Sequence, residues 1–216
     1  TCRILADTGI NVILPNVVWA GLAHYASAIL PQSDNVTRYG DQLKDCAKAA
    51  RESGLEIHVW KVCWNLGNAP TTFIAKMRKT GRTQIAANGN ALNWLCPTHP
   101  ENISLELNSI NEALAHAPVQ GIHLDYIRYP DQSACFCDGC RRRFERDIGE
   151  SVANWPKSAY SGKYKESYQT WRSAQMTGFV RTLRRNMRKN HPNMRLSAAV
   201  YPEYPGCITS IGQDWG

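Results

Sequence analysis

Two carboxylates in this sequence are placed to do chemistry together: Asp125, in the stretch GIHLDYIRYP, and Glu203, in YPEYP. Asp125 closes an apolar run in which Gly121, Ile122, Leu124 and Ile127 read as core, while His123 and Asp125 alternate onto the opposite face. A charge at the end of a buried strand is costly unless it is paired or put to use. Glu203 stands just past a second apolar run, RLSAAVY. If the two runs are neighbouring strands, both carboxylates lie at one sheet edge. Hydrolysis of a glycosidic bond needs such a pair, one group protonating the leaving oxygen and the other attacking or activating water. The competing reading is an Asp125–Arg128 ion pair or a loop cap, with Glu203 merely solvated.

Aromatic and polar residues gather at the same positions along the chain. Trp19, Trp64, Tyr129 and Tyr204 follow or end apolar runs, where ring faces can stack on the apolar faces of sugars. Asn16, His58, Asn65, His123, Arg128 and Asp214 are the polar partners expected for sugar hydroxyls. Trp60, inside a strand, reads as core. Six histidines are scattered without metal-ligand spacing, and no G-x-S-x-G elbow is present.

A second constellation is CFCDGC, which places Cys135, Cys137 and Cys140 close together at the start of a helix continued by Phe144 and Ile148. The chain holds eight cysteines, an even number that suits disulfides in an oxidising compartment. At least one disulfide involving these three is expected, and no metal. Zinc is the alternative, but it needs a fourth ligand, so Cys96, Cys63 or a histidine would have to be recruited by the fold.

Four apolar runs must position these groups: GINVILPN from Gly9, LEIHVWKVCW from Leu55, GIHLDYI from Gly121 and RLSAAVY from Arg195. Helical patterns lie between them. Leu43, Cys46, Ala47 and Ala50 share a face before Gly54, and Ile103, Leu107, Ile110 and Leu114 share one before Gly121. After Lys165, Tyr168, Trp171, Met176, Phe179, Val180, Leu183 and Met187 form a long stripe. Alternating strands and helices imply a parallel sheet of the α/β class. No glycine-rich phosphate loop follows a strand, which argues against dinucleotide binding and leaves no cofactor implied. Functional residues at successive strand ends favour a (β/α)8 barrel of the TIM type. Only four strands are found, so residues 1–216 read as one partial barrel domain covering roughly strands two to five. Residues 66–100 read as a long excursion without secondary structure.

Composition narrows the classes further. With 43% hydrophobic and 20% charged residues the chain is of ordinary globular type, and no apolar run reaches membrane-span length. The net charge of +7 comes largely from RRRFER and RTLRRNMRKNHPNMR. In the latter the basic residues fall opposite the apolar stripe, as on a solvated helix face, and aromatics are not interleaved among them. Nucleic acid is therefore not the expected partner.

GIHLDYIRYP, FCDGCRRRFE, GLEIHVWKVCWNL, WLCP and LSAAVYPEYP with GQDW together resemble the glycosyl-hydrolase-like family ten proteins, over nearly the whole chain from Gly9 to Trp215. The resemblance implies an exported bacterial (β/α)8 barrel, and one branch of that family acts on peptidoglycan strands stripped of their peptides. By position it assigns Asp125 as the family's strand-end aspartate and Glu203 as the acid in its YP-acid-YP turn. The expected function is a glycoside hydrolase acting on a polysaccharide or peptidoglycan-like glycan. Its rivals are a non-catalytic glycan-binding barrel within a surface assembly and a zinc-stapled nucleic-acid binder.

Overall fold

The computed structural model describes residues 1–216. Helix α1 (Cys2–Asp7) leads into two short strands, β1 (Val12–Ile13) and β2 (Asn16–Trp19). The first expected strand is thus divided, and the division falls at Pro15, which has no N–H to give to a ladder. Pro15 still accepts a hydrogen bond from Trp60 N, so the run stays attached to its neighbour. A tight turn at Ala20 and Gly21, both with positive φ, brings β3 (Leu22–Ala23) back antiparallel to β2.

Helices α2 (Asp34–Tyr39) and α3 (Gln42–Glu52) precede β4 (Glu56–Val62). Asp41 caps α3 by accepting from Lys44 N, and Gly54 at φ +72° turns the chain into the strand, as its position suggested. Residues 66–100 are not structureless. They hold α4 (Thr71–Lys79) and an antiparallel hairpin of β5 (Thr83–Ile85) and β6 (Ala91–Leu95). The hairpin closes around Asn88-Gly89, where Gly89 has φ +86° and Asn88 Oδ1 accepts from Asn90 N.

Helix α5 (Pro100–His116) then leads to β7 (Gly121–Asp125). After it come α6 (Asp138–Ile148), α7 (Lys157–Tyr160), the 26-residue α8 (Lys165–Asn190), β8 (Arg195–Ala198) and α9 (Gly206–Ile211). Six of the seven stripe residues expected on α8 are buried, Val180 being half-buried, and Arg181, Arg184, Arg185, Arg188 and Lys189 are exposed. The basic run is a solvated helix face.

The main sheet runs β3-β2-β4-β7-β8, with β1 also on β4. Apart from the β2–β3 hairpin every pairing is parallel, and the four expected strands follow one another in sequence order. The fold is mixed α/β, with the long connections supplying the helices that cover one face. On that face lie Ile57, Val59, Ile122 and Leu124, all within a core of 42 buried residues.

Lys61 points into this helix-covered face as well. Its Nζ lies 2.8 Å from Glu106 Oε2 of α5, with side-chain exposures of 2% and 6%. The contact is a charge pairing outside hydrogen-bonding direction, and Glu106 Oε1 accepts from Trp64 N at 3.1 Å. Accordingly α5 buries Asn102, Glu106 and Ser109 together with Ile110, Ala113 and Leu114, a face turned away from the expected Ile103–Leu107 line.

Candidate functional site

Strand register places the site. Trp60 of β4 pairs with His123 of β7, which pairs with Ser197 of β8, so these three form one rung on the face away from the helices. The next rung on that face joins Val62 to Asp125. His123 Nδ1 lies 3.0 Å from Ser197 Oγ, and its ring stands edge-on to Trp60 with centroids 6.2 Å apart. Burial first, then His58, holds the His123 pKa below its usual 6.5, against the pull of Asp125.

Asp125 ends β7 with both carboxylate oxygens engaged. Oδ2 accepts from Trp60 Nε1 at 3.2 Å and Oδ1 accepts from Tyr126 N at 2.7 Å. Tyr126 has φ +53°, a left-handed conformation unfavourable for a bulky side chain. Strain of this kind concentrates at functional positions; here it aims the Tyr126 amide at the carboxylate. Trp60, read from sequence as core, is half-buried and is a direct partner of Asp125.

Arg128 makes no ion pair with Asp125. Its Nη1 donates to the carbonyls of Tyr129 and Pro130. The guanidinium carbon lies 4.5 Å from the Tyr126 ring centroid, 5.2 Å from Tyr201 and 5.6 Å from Trp94, an aromatic surround that favours a cation. Asp125, Tyr126, Arg128, Ala199, Val200, Tyr201 and Gln213 line a cleft of about 230 Å³. Gln213 is buried, accepting from Tyr201 N and donating to Ala199 O, and so fixes the chain beyond β8 against the cleft. Sequence reasoning missed Gln213 as a positioning residue, and nothing local distinguishes it.

The remaining expected residues are spread more widely. Glu203 lies in an exposed turn; its backbone carbonyl accepts from Cys207 N and its side chain makes no hydrogen bond within the protein. Next to it Tyr204 donates to Asp214 Oδ1 at 3.4 Å, and its ring sits 4.8 Å from Trp215. The Asp214 charge raises the Tyr204 pKa. Asp214 and Trp215 line a separate, mostly apolar cleft of about 220 Å³ against Met176 and Val180. Asn16 starts β2 opposite Trp60, with a buried Oδ1 that has no partner, and Trp19 ends that strand 38% exposed. Asn65 accepts from Gly67 N in the turn after β4. His58 pairs with Gly121 at the far end of β7 and lies 3.5 Å from Glu56, two rungs from Asp125 on that face.

Two expected stacking platforms are corrected. Trp64 and Tyr129 have no exposed surface. Trp64, at φ +62°, turns its ring inward against Phe179 at 4.8 Å, and Tyr129 packs beneath the Arg172 guanidinium at 4.3 Å. Neither offers a ring face to a sugar.

The disulfide expectation is also corrected: all eight cysteines are free. Cys96 Sγ lies 3.5 Å from Cys140 Sγ and 3.8 Å from Cys137 Sγ, far beyond the roughly 2.05 Å of a sulfur–sulfur bond. With no pairing, the cysteine count ceases to argue for an oxidising compartment. Nor does any helix have the length and apolarity to cross a membrane.

Comparison with known proteins gives the wider setting. The glycoside hydrolase domain of PgaB (BpsB) from Bordetella bronchiseptica superposes with TM-score 0.75 at 14% identity, covering 98% of this chain and 62% of that one. Alpha-L-fucosidase isoenzyme 2 from Paenibacillus thiaminolyticus gives TM-score 0.60 at 13% identity, covering 92% of this chain and 28% of that one. At these identities the likeness is one of fold. An S-layer-related protein from Niallia circulans is 26% identical over 157 residues, covering 63% of this chain and 10% of its own length; the chain thus spans about a tenth of that relative. The profile of glycosyl hydrolase-like 10 matches residues 1–215, and the chain belongs to that family.

Proposed function

We propose that this chain is part of a (β/α)8 barrel glycoside hydrolase that cleaves a polysaccharide or peptidoglycan-like glycan outside the cytoplasm. The observation that carries the reading is Asp125. It sits at the C-terminal end of a parallel strand, where barrel enzymes assemble their sites. Its carboxylate is oriented by the Trp60 and Tyr126 N–H groups and faces an open cleft. In this reading Asp125 is the nucleophile or the stabiliser of oxocarbenium charge, and Glu203 is the general acid/base. Arg128, His123, Asn16, Asn65, Trp19, Tyr204 and Asp214 supply substrate contacts. Family membership and the PgaB-like fold support a glycan substrate, and the S-layer-related relative supports export.

The exposed Tyr204–Trp215 pair and the solvent-facing Glu203 favour a second reading, a barrel that binds glycan without cleaving it. Asp125→Asn and Glu203→Gln separate the two when assayed on peptide-free glycan strands. General acid–base catalysis is worth about 10²–10⁴-fold, so Glu203→Gln should lower turnover by that factor while glycan retention persists. Asp125→Asn should lower it at least as far. Unchanged turnover in either variant removes that residue from the mechanism. Retention by the wild-type chain with no turnover at all leaves the binding reading standing.

A further inference from the structure

We propose that Cys96, Cys135, Cys137 and Cys140 form a structural zinc site that locks the segment after β7 onto the β5–β6 hairpin. The four sulfurs all lie within 4.8 Å of one another, and every one of these residues is buried. A zinc–sulfur bond of about 2.3 Å sets tetrahedral sulfurs about 3.8 Å apart. The observed separations of 3.5 Å and 3.8 Å match that spacing and are too long for a disulfide. An all-thiolate tetrahedral set selects zinc or iron over hard cations, and sulfurs this close enclose one ion rather than a polynuclear cluster.

The surroundings are those of a thiolate site. Thr98 Oγ1 lies 3.2 Å from Cys96 Sγ and 3.4 Å from Cys140 Sγ, within reach of donating to either sulfur. Cys140 N donates to Cys137 Sγ at 3.4 Å across the first turn of α6. Such outer contacts orient ligands and stabilise their charge.

A second observation points to the same ion. Arg172 is 1% exposed and has no carboxylate within ion-pair distance. Its Nη1 and Nη2 donate to the carbonyls of Gln132 and Asp131, in the segment that leads to Cys135, and its guanidinium lies 4.3 Å from the Tyr129 ring centroid, none of which carries a full negative charge. A buried guanidinium without a counter-charge is expensive. A zinc ion with four thiolates carries two negative charges and supplies one. Cys137, at 9% exposure, borders a cleft that gives the ion a way in.

The site's role follows from what it joins. Cys96 follows β6, Cys135 and Cys137 end the segment that carries Tyr126 and Arg128 past Asp125, and Cys140 opens α6. One ion therefore ties the segment that follows Asp125 to the β5–β6 hairpin, alongside the backbone bonds from Phe136 N to Ile85 O and from Ala87 N to Ser133 O. It takes no part in the chemistry, and the inference stands whether or not the chain cleaves glycan.

The test is metal content. The chain is reduced, incubated with zinc chloride, desalted and analysed for elements; about one zinc per chain is expected. Cys96→Ser and Cys140→Ser should bring this near zero, whereas Cys46→Ser, outside the cluster, should keep it. Since the cluster variants can fail by unfolding, wild-type chain reconstituted with cobalt provides an independent readout. Thiolate-to-cobalt charge transfer with tetrahedral ligand-field bands, both displaced by zinc, supports the site. Well under one equivalent of zinc in the wild-type chain, cobalt spectra without thiolate bands, or a Cys96–Cys140 disulfide in peptide maps of the native chain would each overturn it.

Discussion

Replacing Glu106 by glutamine should destabilise this fold far more than an ordinary surface change, because it strands Lys61. The ammonium lies 2.8 Å from Glu106 Oε2, and the two side chains are 2% and 6% exposed, so no solvent is at hand to replace the lost charge. Breaking a buried pair by removing one member costs about 3–5 kcal/mol. Glutamine keeps an oxygen for the Trp64 amide, so this loss is almost wholly electrostatic. Leucine would orphan that amide too and add about 1–3 kcal/mol. For a domain near 200 residues each kcal/mol moves Tm by about 2–4 °C, so Glu106→Gln should lower it by about 6–20 °C.

The sharper test is the cycle. Lys61→Met should cost about as much as Glu106→Gln, since it strands the carboxylate instead. The double variant Lys61→Met/Glu106→Gln leaves no buried charge and should recover most of the loss. Neutral replacements of buried pairs are often nearly as stable as the originals. Thermal unfolding followed by circular dichroism gives all three values. If the single losses simply add in the double variant, or if Glu106→Gln shifts Tm by no more than about 2 °C, the pair is not what holds α5 on β4.

Two further outcomes follow from residues the structure places differently from the sequence. Trp64→Phe should lower stability by about 1–3 kcal/mol and leave glycan retention unchanged, because its ring fills core against Phe179; weakened retention with stability intact would return Trp64 to the binding surface. His123 titrates below 6.5 in the fold, so between that value and its lowered one the unfolded chain binds more protons. Its contribution to stability is complete above pH 6.5 and is lost as pH falls. His123→Gln should therefore flatten the decline in urea midpoint between pH 7 and pH 5, without abolishing it, because burial also lowers His24 and His99. An unchanged slope would refute this account.

The strands were legible because their apolar runs are long and follow one another at helical intervals; the β4–β7–β8 core of the sheet needed nothing more. The hairpin within 66–100 was legible in part, for Asn88-Gly89 is a turn signal, but it was outweighed by the Asn and Pro content around it. Orientation at strand ends was not legible. Trp64 and Tyr126 each follow a strand by one or two residues and both have positive φ, yet the Trp64 ring turns inward onto Phe179 and the Tyr126 ring lies at the cleft beside Trp94 and Arg128. No residue type at those positions signals a left-handed backbone, since glycine is absent from both.

Partnership across the fold was the least legible of all. Lys61 in an apolar strand and Glu106 in a helix face each look like an ordinary exception, and only the parallel order that lays α5 over β4 makes them one feature. The cysteines obey the same logic. Cys135, Cys137 and Cys140 announce three sulfurs by local spacing, but a tetrahedral site differs from a disulfide by its fourth ligand. That ligand comes from Cys96, at the end of a hairpin that the sequence signals only by its Asn88-Gly89 turn. A position that depends on one strand's alternation can thus be read from a line of residues, as the place of Asp125 at the end of β7 was. Chemistry that depends on two elements meeting requires the topology first.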